Sequence, residues 1–319
     1  LSNDEGGLGE GALPEGVLAA VLGRPGGVVV GGRAEPMRGS SGAATSALTR
    51  LTGLARCGAE EVPFRVVRKE LRPVRTGRHA PFAGDPRHWA YWRREPLAYA
   101  SGLLPTGPEL SAPRCYGVVD DVLYLEDVPG APEDPQVAAG RLGEWQAAAP
   151  VPEVPWLGGH QLAQRVRATT WTPVDADPRI ERLWRRRDEL LALLARLPVV
   201  LSHGDFSAGN IIAAPGLTSG TEVPPASRPS AAPGMTVLLD WATLSAGPVG
   251  ADLAALALST FTDPLDAYLA GAERFARADV ELGYRATLAL TGAGRVQWMA
   301  SRGMRVPDGY EDFVVSRMP

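Results

Sequence analysis

Apolar positions in the first third of the chain come in short runs broken by glycine, whereas later they recur every three or four residues. Val28-Val29-Val30, Ala44 to Leu54 and Val62 to Leu71 have strand composition, with RGSSGAAT lying between the first two. Short runs of this kind between tight turns predict antiparallel strands. Ahead of them, Val17, Leu18, Val21 and Leu22 share one helical face, with Pro14 at the start and Gly23 as the stop. Two more strands are expected at Arg114 to Val119 and Val122 to Val128, turning at Asp120-Asp121. Asp85-Pro86 has the form of a helix start, and RHWAYWRREPLAYASGLLP after it is helical in pattern. Pro96 interrupts that pattern and predicts a new helix from about Glu95.

Beyond Pro129-Gly130 the helical period takes over. Val137, Leu142 and Trp145 mark one helix. A longer one carries Ile180, Leu183, Trp184, Leu191, Leu194 and Leu197, begun by Asp177-Pro178 and ended by Pro198. Val199-Val200-Leu201 and VLLDW at 237–241 predict brief strands. Residues 214–236 are rich in Pro, Ser, Gly and Ala and read as a mobile insertion, since they hold few large apolar side chains. The expected organisation is a β-rich lobe over 1–128 and a helical lobe over 129–319, an α+β fold.

Composition changes this picture little. In 319 residues, 45% are hydrophobic and 21% charged, which suits a folded protein with a real core. Lys+Arg 32 against Asp+Glu 36 gives a net charge of −4, which argues against nucleic-acid binding by bulk charge. Apolar runs fall short of the roughly 18 residues that span a bilayer. The acidic, glycine-rich start LSNDEGGLGEG is the reverse of a signal peptide. Cys57 and Cys115 are too few for a disulfide framework or a zinc cluster, so two thiols in a reducing cytoplasm are expected. Lys69 is the only lysine among the 32 basic residues. A GC-rich genome accounts for the arginine excess, and not for a lysine kept at this one place.

The chemistry concentrates in His203-Gly204-Asp205-Phe206-Ser207-Ala208-Gly209-Asn210, followed after an apolar run by Asp240-Trp241. A carboxylate and a carboxamide five residues apart, in a loop after a buried strand, can point the same way. Asp205 could orient an attacking hydroxyl, while Asn210 and Asp240 offer oxygen atoms to a hard cation. Mg²⁺ suits that donor set, because it takes one or two protein carboxylates and completes its shell with substrate phosphates. The bland alternative is a polar turn with capping Asp and Asn, and each residue alone would read that way.

Together these segments resemble the aminoglycoside phosphotransferase and choline kinase superfamily, small-molecule kinases of protein-kinase-like fold. VVLSHGDFSAGNII is similar to its catalytic loop, and VLLDWATLSAGPVGADLAAL to its metal-binding segment and following helix. The resemblance extends, more weakly, from about residue 28 to 300. It implies ATP and Mg²⁺, with Asp205 as catalytic base and Asn210 and Asp240 as metal ligands. It makes His203 a brace of the loop and Asp252 a hydrogen-bonding support. It assigns Lys69, on the third strand, to the nucleotide phosphates. Glu95 is then its acidic partner, a surface-exposed Glu95 being the alternative. Gly39, Ser40, Ser41 and Gly42 resemble the phosphate-covering turn, which an ordinary hairpin would match equally. The backbone at Glu126 and Val128 stands where the family's interlobe segment meets adenine.

The implied reaction is γ-phosphoryl transfer to a hydroxyl of a small molecule, such as an aminoglycoside or another hydroxylated natural product, with antibiotic resistance one possible role. A nucleotide-binding pseudokinase acting through partners is the rival from another class, and a metal-dependent hydrolase built on His203 and Asp205 is a third. No nucleic-acid or membrane partner is expected. Asp263, Asp266, Glu273, Asp279, Glu281 and Glu311-Asp312 would suit a cationic acceptor, but Arg274, Arg277, Arg285, Arg295 and Arg302 are interleaved with them.

Overall fold

The computed structural model describes residues 7–8, 11–37, 44–107, 109–214 and 234–319. The fold is α+β, and the chain divides into two compact units. The first gathers Leu1–Gly84, Ala90–Ala131 and Ala213–Ala242; the second gathers Asp85–Trp89, Pro132–Ile212 and Thr243–Pro319. The chain therefore returns to the first unit after the His203–Asn210 segment, and Asp240 is a member of that unit together with Lys69.

The first unit opens with α1 (Glu15–Leu22), which ends at Gly23 with φ 69, a left-handed conformation that glycine adopts without Cβ strain. A five-stranded antiparallel sheet follows, ordered β1-β2-β3-β6-β5, with β1 Val28–Pro36, β2 Thr45–Cys57, β3 Glu60–Leu71, β5 Cys115–Val119 and β6 Val122–Glu126. The strands expected from the sequence all form, with ends shifted by up to three residues except in β1, which continues six residues past Val30 to Pro36. Alternation along β3 decides what each face does. Val62, Phe64 and Val66 are buried with Val17, Leu18, Val21 and Leu22 of α1, alongside Leu51, Ala55 and Tyr124. Val67 and Leu71 face the other way, into a cluster with Leu123, Leu125, Trp92 and Tyr99. Lys69 falls between them in the period of two, so an ammonium is set into an apolar face.

The helix expected from Asp85 does not form. Asp85 accepts from the Arg87 amide through its carboxylate and from the His88 amide through its carbonyl, which closes a turn instead. The helix here is α2 (Arg94–Ser101), close to the expected restart at Glu95. Pro96 lies in its first turn, where the missing N–H has no helical acceptor to lose. Strand β4 (Leu110–Ser111) runs parallel to β10 (Thr236–Leu238) in the same unit.

The second unit is built around α9 (Arg277–Ala300). Packed against it are α4 (Gln161–Arg167), α5 (Pro178–Arg185), α6 (Arg187–Leu194), α7 (Ala251–Thr260), α8 (Leu265–Gly271) and α10 (Tyr310–Ser316). Helix α3 (Pro135–Ala148) packs on α8, and β8 (Val199–Ser202) pairs antiparallel with β11 (Ser245–Pro248). The face of α3 differs from expectation. Val137 is exposed, and Ala138, Ala139, Leu142, Gly143 and Gln146 are buried. The single long helix expected over 177–198 is two, because Arg186 at φ −84 ψ 5 leaves the helical path and separates α5 from α6. The start at Asp177 is as expected, its carboxylate accepting from the Arg179 amide. Among the described residues no helix is long and apolar enough to cross a membrane.

Candidate functional site

In the first unit, Lys69 Nζ lies 2.6 Å from Glu95 Oε2 and 2.9 Å from Asp240 Oδ1. The side chains are 7% exposed for Lys69 and 0% for Glu95, so the surface alternative for Glu95 does not hold. Position follows from local structure. Lys69 pairs across the sheet with Leu48 on one side and Leu123 on the other, which fixes its register. Glu95 sits on the inward face of α2 with Ala98. Asp240 follows β10 at φ 60, a left-handed conformation uncommon for a residue with a Cβ.

Burial by itself would lower the Lys69 pKa, yet the nearby carboxylates, Glu95 foremost and then Asp240, hold it above its ordinary value. Burial raises Glu95, with Lys69 opposing that rise. The phenol of Tyr99 is pushed well up by burial and then by Glu95.

The segment 126–128 belongs to the same unit. The Glu126 amide donates to the Arg114 carbonyl at 2.8 Å, and its carboxylate accepts from the Arg114 amide at 3.1 Å. Val128 packs against Ala214, Met235 and Val237. Between them Asp127, with a side chain 4% exposed, accepts from Arg50 Nε at 2.7 Å and from Arg65 Nη2 at 2.6 Å. Gly39, Ser40, Ser41 and Gly42 lie outside the described residues, as does 215–233 of the expected insertion. At its edges, the Ala214 amide donates to the Met235 carbonyl, and both residues are buried.

The second unit carries the His203–Asn210 segment. Asn210 Nδ2 donates to the Asp205 carbonyl at 2.9 Å and to Asp205 Oδ2 at 3.1 Å. The Asp205 amide points at His203 Nδ1, 3.3 Å away, and His203 is fully buried with its carbonyl accepting from Thr243 Oγ1. Gly204 has φ 80, and a Cβ there would meet the Thr243 carbonyl oxygen at 2.5 Å, so the turn requires glycine. Asp252 anchors this turn. Its Oδ1 accepts from Ser202 Oγ and the Gly204 amide, and its Oδ2 from the His203 amide and Gln146 Nε2.

Sequence reading did not find Gln146, Tyr268 or the Asp127 clamp. Gln146 leaves one signal, a polar residue in an otherwise apolar helix face, four positions after Leu142. The acidic residues of the last third are mostly spent on arginine. Asp266 pairs with Arg277, Glu281 with Arg285 and Asp312 with Arg179. Among the described residues no group of three or more His, Cys, Asp or Glu could hold a metal. Asp240 in the first unit and Asn210 in the second are each, taken singly, an oxygen donor of the hard type Mg²⁺ takes.

No family model matches the chain, and no curated protein matches it. Solved structures do. The choline kinase of Streptococcus pneumoniae is 14% identical, over 89% of this chain and 90% of that one, with a TM-score of 0.48. The macrolide 2′-phosphotransferase of Brachybacterium faecium is 14% identical, over 89% of this chain and 91% of that one, with a TM-score of 0.47. A choline/ethanolamine kinase family protein of Mesorhizobium loti is 16% identical, over 85% and 84%, with a TM-score of 0.46.

Proposed function

We propose that the protein is an ATP-dependent phosphotransferase that moves the γ-phosphoryl group to a hydroxyl of a small molecule. The observation that carries this reading is the chain's sole lysine, held on an inner sheet face by Glu95 and Asp240. Burying an ammonium is costly unless it is paired, and a group held this way is prepared for anionic oxygens. The Asp205–Asn210 pair in a glycine-dependent turn supports the same reading.

In this scheme Lys69 binds phosphate oxygens, and Glu95 fixes its position. Asp205 orients the acceptor hydroxyl and takes its proton as the new O–P bond forms and the bond to the ADP oxygen breaks. Asp240 and Asn210 would hold Mg²⁺, which when bound offsets the negative charge of the phosphates. The backbone of 126–128 would meet the base. Positioning and charge complementarity supply most of the rate in such a reaction, so these few groups suffice. The acceptor class we favour is a hydroxylated natural product or amino alcohol. The arginine-paired carboxylates of the last third give no support to a specifically cationic one.

The test is ADP release from MgATP across amino alcohols, aminoglycosides and macrolides, with nucleotide protection read in parallel by thermal shift. One acceptor should raise turnover, and both Asp205→Asn and Asp240→Ala should abolish it, Asp205→Asn leaving nucleotide protection in place. Protection without turnover against the whole panel would favour a binding module. Absence of both would reject the proposal.

A further inference from the structure

Behind the catalytic-loop segment lies a buried polar chain drawn from three helices. Tyr268 Oη, on α8, donates to Gln146 Oε1 at 2.7 Å. Gln146 Nε2, on α3, donates to Asp252 Oδ2 at 2.9 Å and to the Leu201 carbonyl at 2.7 Å. Asp252, on α7, then accepts from the amides of His203 and Gly204, both at 2.9 Å. Those are the two residues immediately before Asp205. Resting on the proposed role of Asp205, we infer that Gln146 and Tyr268 are positioning residues that hold the catalytic loop through Asp252.

The argument turns on orientation. The two ends of a glutamine amide are nearly alike in shape and opposite in hydrogen-bonding character. With the amide reversed, its oxygen would face the Asp252 carboxylate and the Leu201 carbonyl, three acceptors with no donor between them. The Asp252 carboxylate and the Leu201 carbonyl, which can only accept, select the orientation in which Nε2 faces them, and this leaves Oε1 to accept the Tyr268 hydroxyl proton. Both Nε2 protons are then donated and Oε1 accepts one, where Gln146 is 1% and Tyr268 0% exposed. In such surroundings an unmade bond is expensive, so the chain behaves as a unit.

Helix packing has been arranged to allow this contact. Gly143 and Gly271 lie where α3 and α8 cross, and a Cβ at Gly143 would collide with the Tyr268 carbonyl oxygen. One at Gly271 would collide with the carbonyl oxygen of Gly140. The backbones therefore approach closely enough for side chains one turn further along to meet end to end. The four groups on Asp252 are neutral donors, so the loop is held by the number and direction of hydrogen bonds and not by a counter-charge.

The experiment reads the loop directly, in the full chain, by amide hydrogen exchange of Tyr268→Phe and Gln146→Leu. Tyr284→Phe on α9 makes the same chemical change away from the loop and serves as the control. Exchange at His203 and Gly204 should rise about tenfold in both test variants, with α9 amides and the control unchanged. In parallel, kcat for MgATP turnover should fall roughly 10- to 100-fold at an unchanged KM for MgATP, the pattern of a displaced reacting group. Tyr268→Phe removes a single oxygen atom and keeps the test available if Gln146→Leu does not fold. Unchanged loop exchange overturns the inference. So does a uniform rise across the whole unit with kcat per folded molecule intact, which would make the chain merely structural. A rise confined to the loop in a wild-type protein that never turns over MgATP would uphold the hydrogen-bonded link and reject the phosphotransfer reading instead.

Discussion

Lys69 and Glu95 form an ion pair of 2.6 Å in which the lysine side chain is 7% exposed and the glutamate not exposed at all. Removing one partner from such a pair costs more than the pair contributes, because a charge is left without compensation. Lys69→Met should therefore lose about 3–5 kcal/mol of unfolding free energy. The double variant Lys69→Met/Glu95→Leu should recover most of that loss while remaining inactive. Urea denaturation of the two variants checks both statements. A loss under about 1 kcal/mol in Lys69→Met would mean that Glu95 finds another partner or takes up a proton at little cost.

Lys69→Arg keeps the charge and changes its shape. The ammonium is a compact donor between Glu95 and Asp240, and a planar guanidinium of greater width cannot occupy the same point. The variant should stay folded and, on the proposed role of Lys69 in holding phosphate oxygens, lose about tenfold or more in kcat/KM for MgATP. Steady-state ADP release decides it, and wild-type turnover would remove the argument from the single lysine.

Asp127 depends on two arginines, Arg50 from β2 and Arg65 from β3, and both reach its carboxylate. Either arginine can hold the buried carboxylate without the other, so Arg50→Ala and Arg65→Ala should each cost about 1 kcal/mol. Together they strand it, and the double variant should lose about 3–5 kcal/mol, well beyond the sum of the singles. Because Asp127 lies between Glu126 and Val128, KM for ATP should rise in the double variant more than kcat falls. Additive losses in a double-mutant cycle would show that the two arginines do not share one task.

What was legible in the sequence was whatever local punctuation and period determine. Pro14 and Gly23 bracket α1, and alternation along β3 places Lys69 opposite Val62, Phe64 and Val66. Glu95 was named only by the family resemblance, and with Pro96 beside it the sequence left its burial open. Competing turn chemistry defeated the reading at Asp85, whose carboxylate serves a turn as readily as a helix start. Periodicity could not see the break at Arg186, because apolar spacing continues on both sides of it. Chain connectivity hid the membership of Asp240 in the first unit. The Gln146–Tyr268 contact joins residues 122 apart, and only a polar residue in an apolar helix face hinted at it.

The last prediction concerns acid stability and rests on His160. Burial, and secondarily the positive charge of Arg167, lower its pKa from 6.5 to about 4. Between those two values the unfolded chain binds a proton at this imidazole that the folded chain refuses. Stability therefore rises with pH across the window and is lost as pH falls from 6.5 toward 4. Asp177, held below the ordinary carboxylate range by its hydrogen bonds from Arg179, also loses stabilisation on acidification, at pH values below those at which most of the histidine effect falls. His160→Gln cannot take up the proton, so the difference between the two proteins isolates the imidazole. From pH 7 to 4.5 the wild type should lose several degrees of Tm more than the variant, because each tenfold difference in proton affinity between the folded and unfolded chain is worth about 1.4 kcal/mol. Thermal unfolding in buffers of matched ionic strength measures this. Parallel Tm profiles would show that the imidazole is hydrated and titrates near its ordinary value.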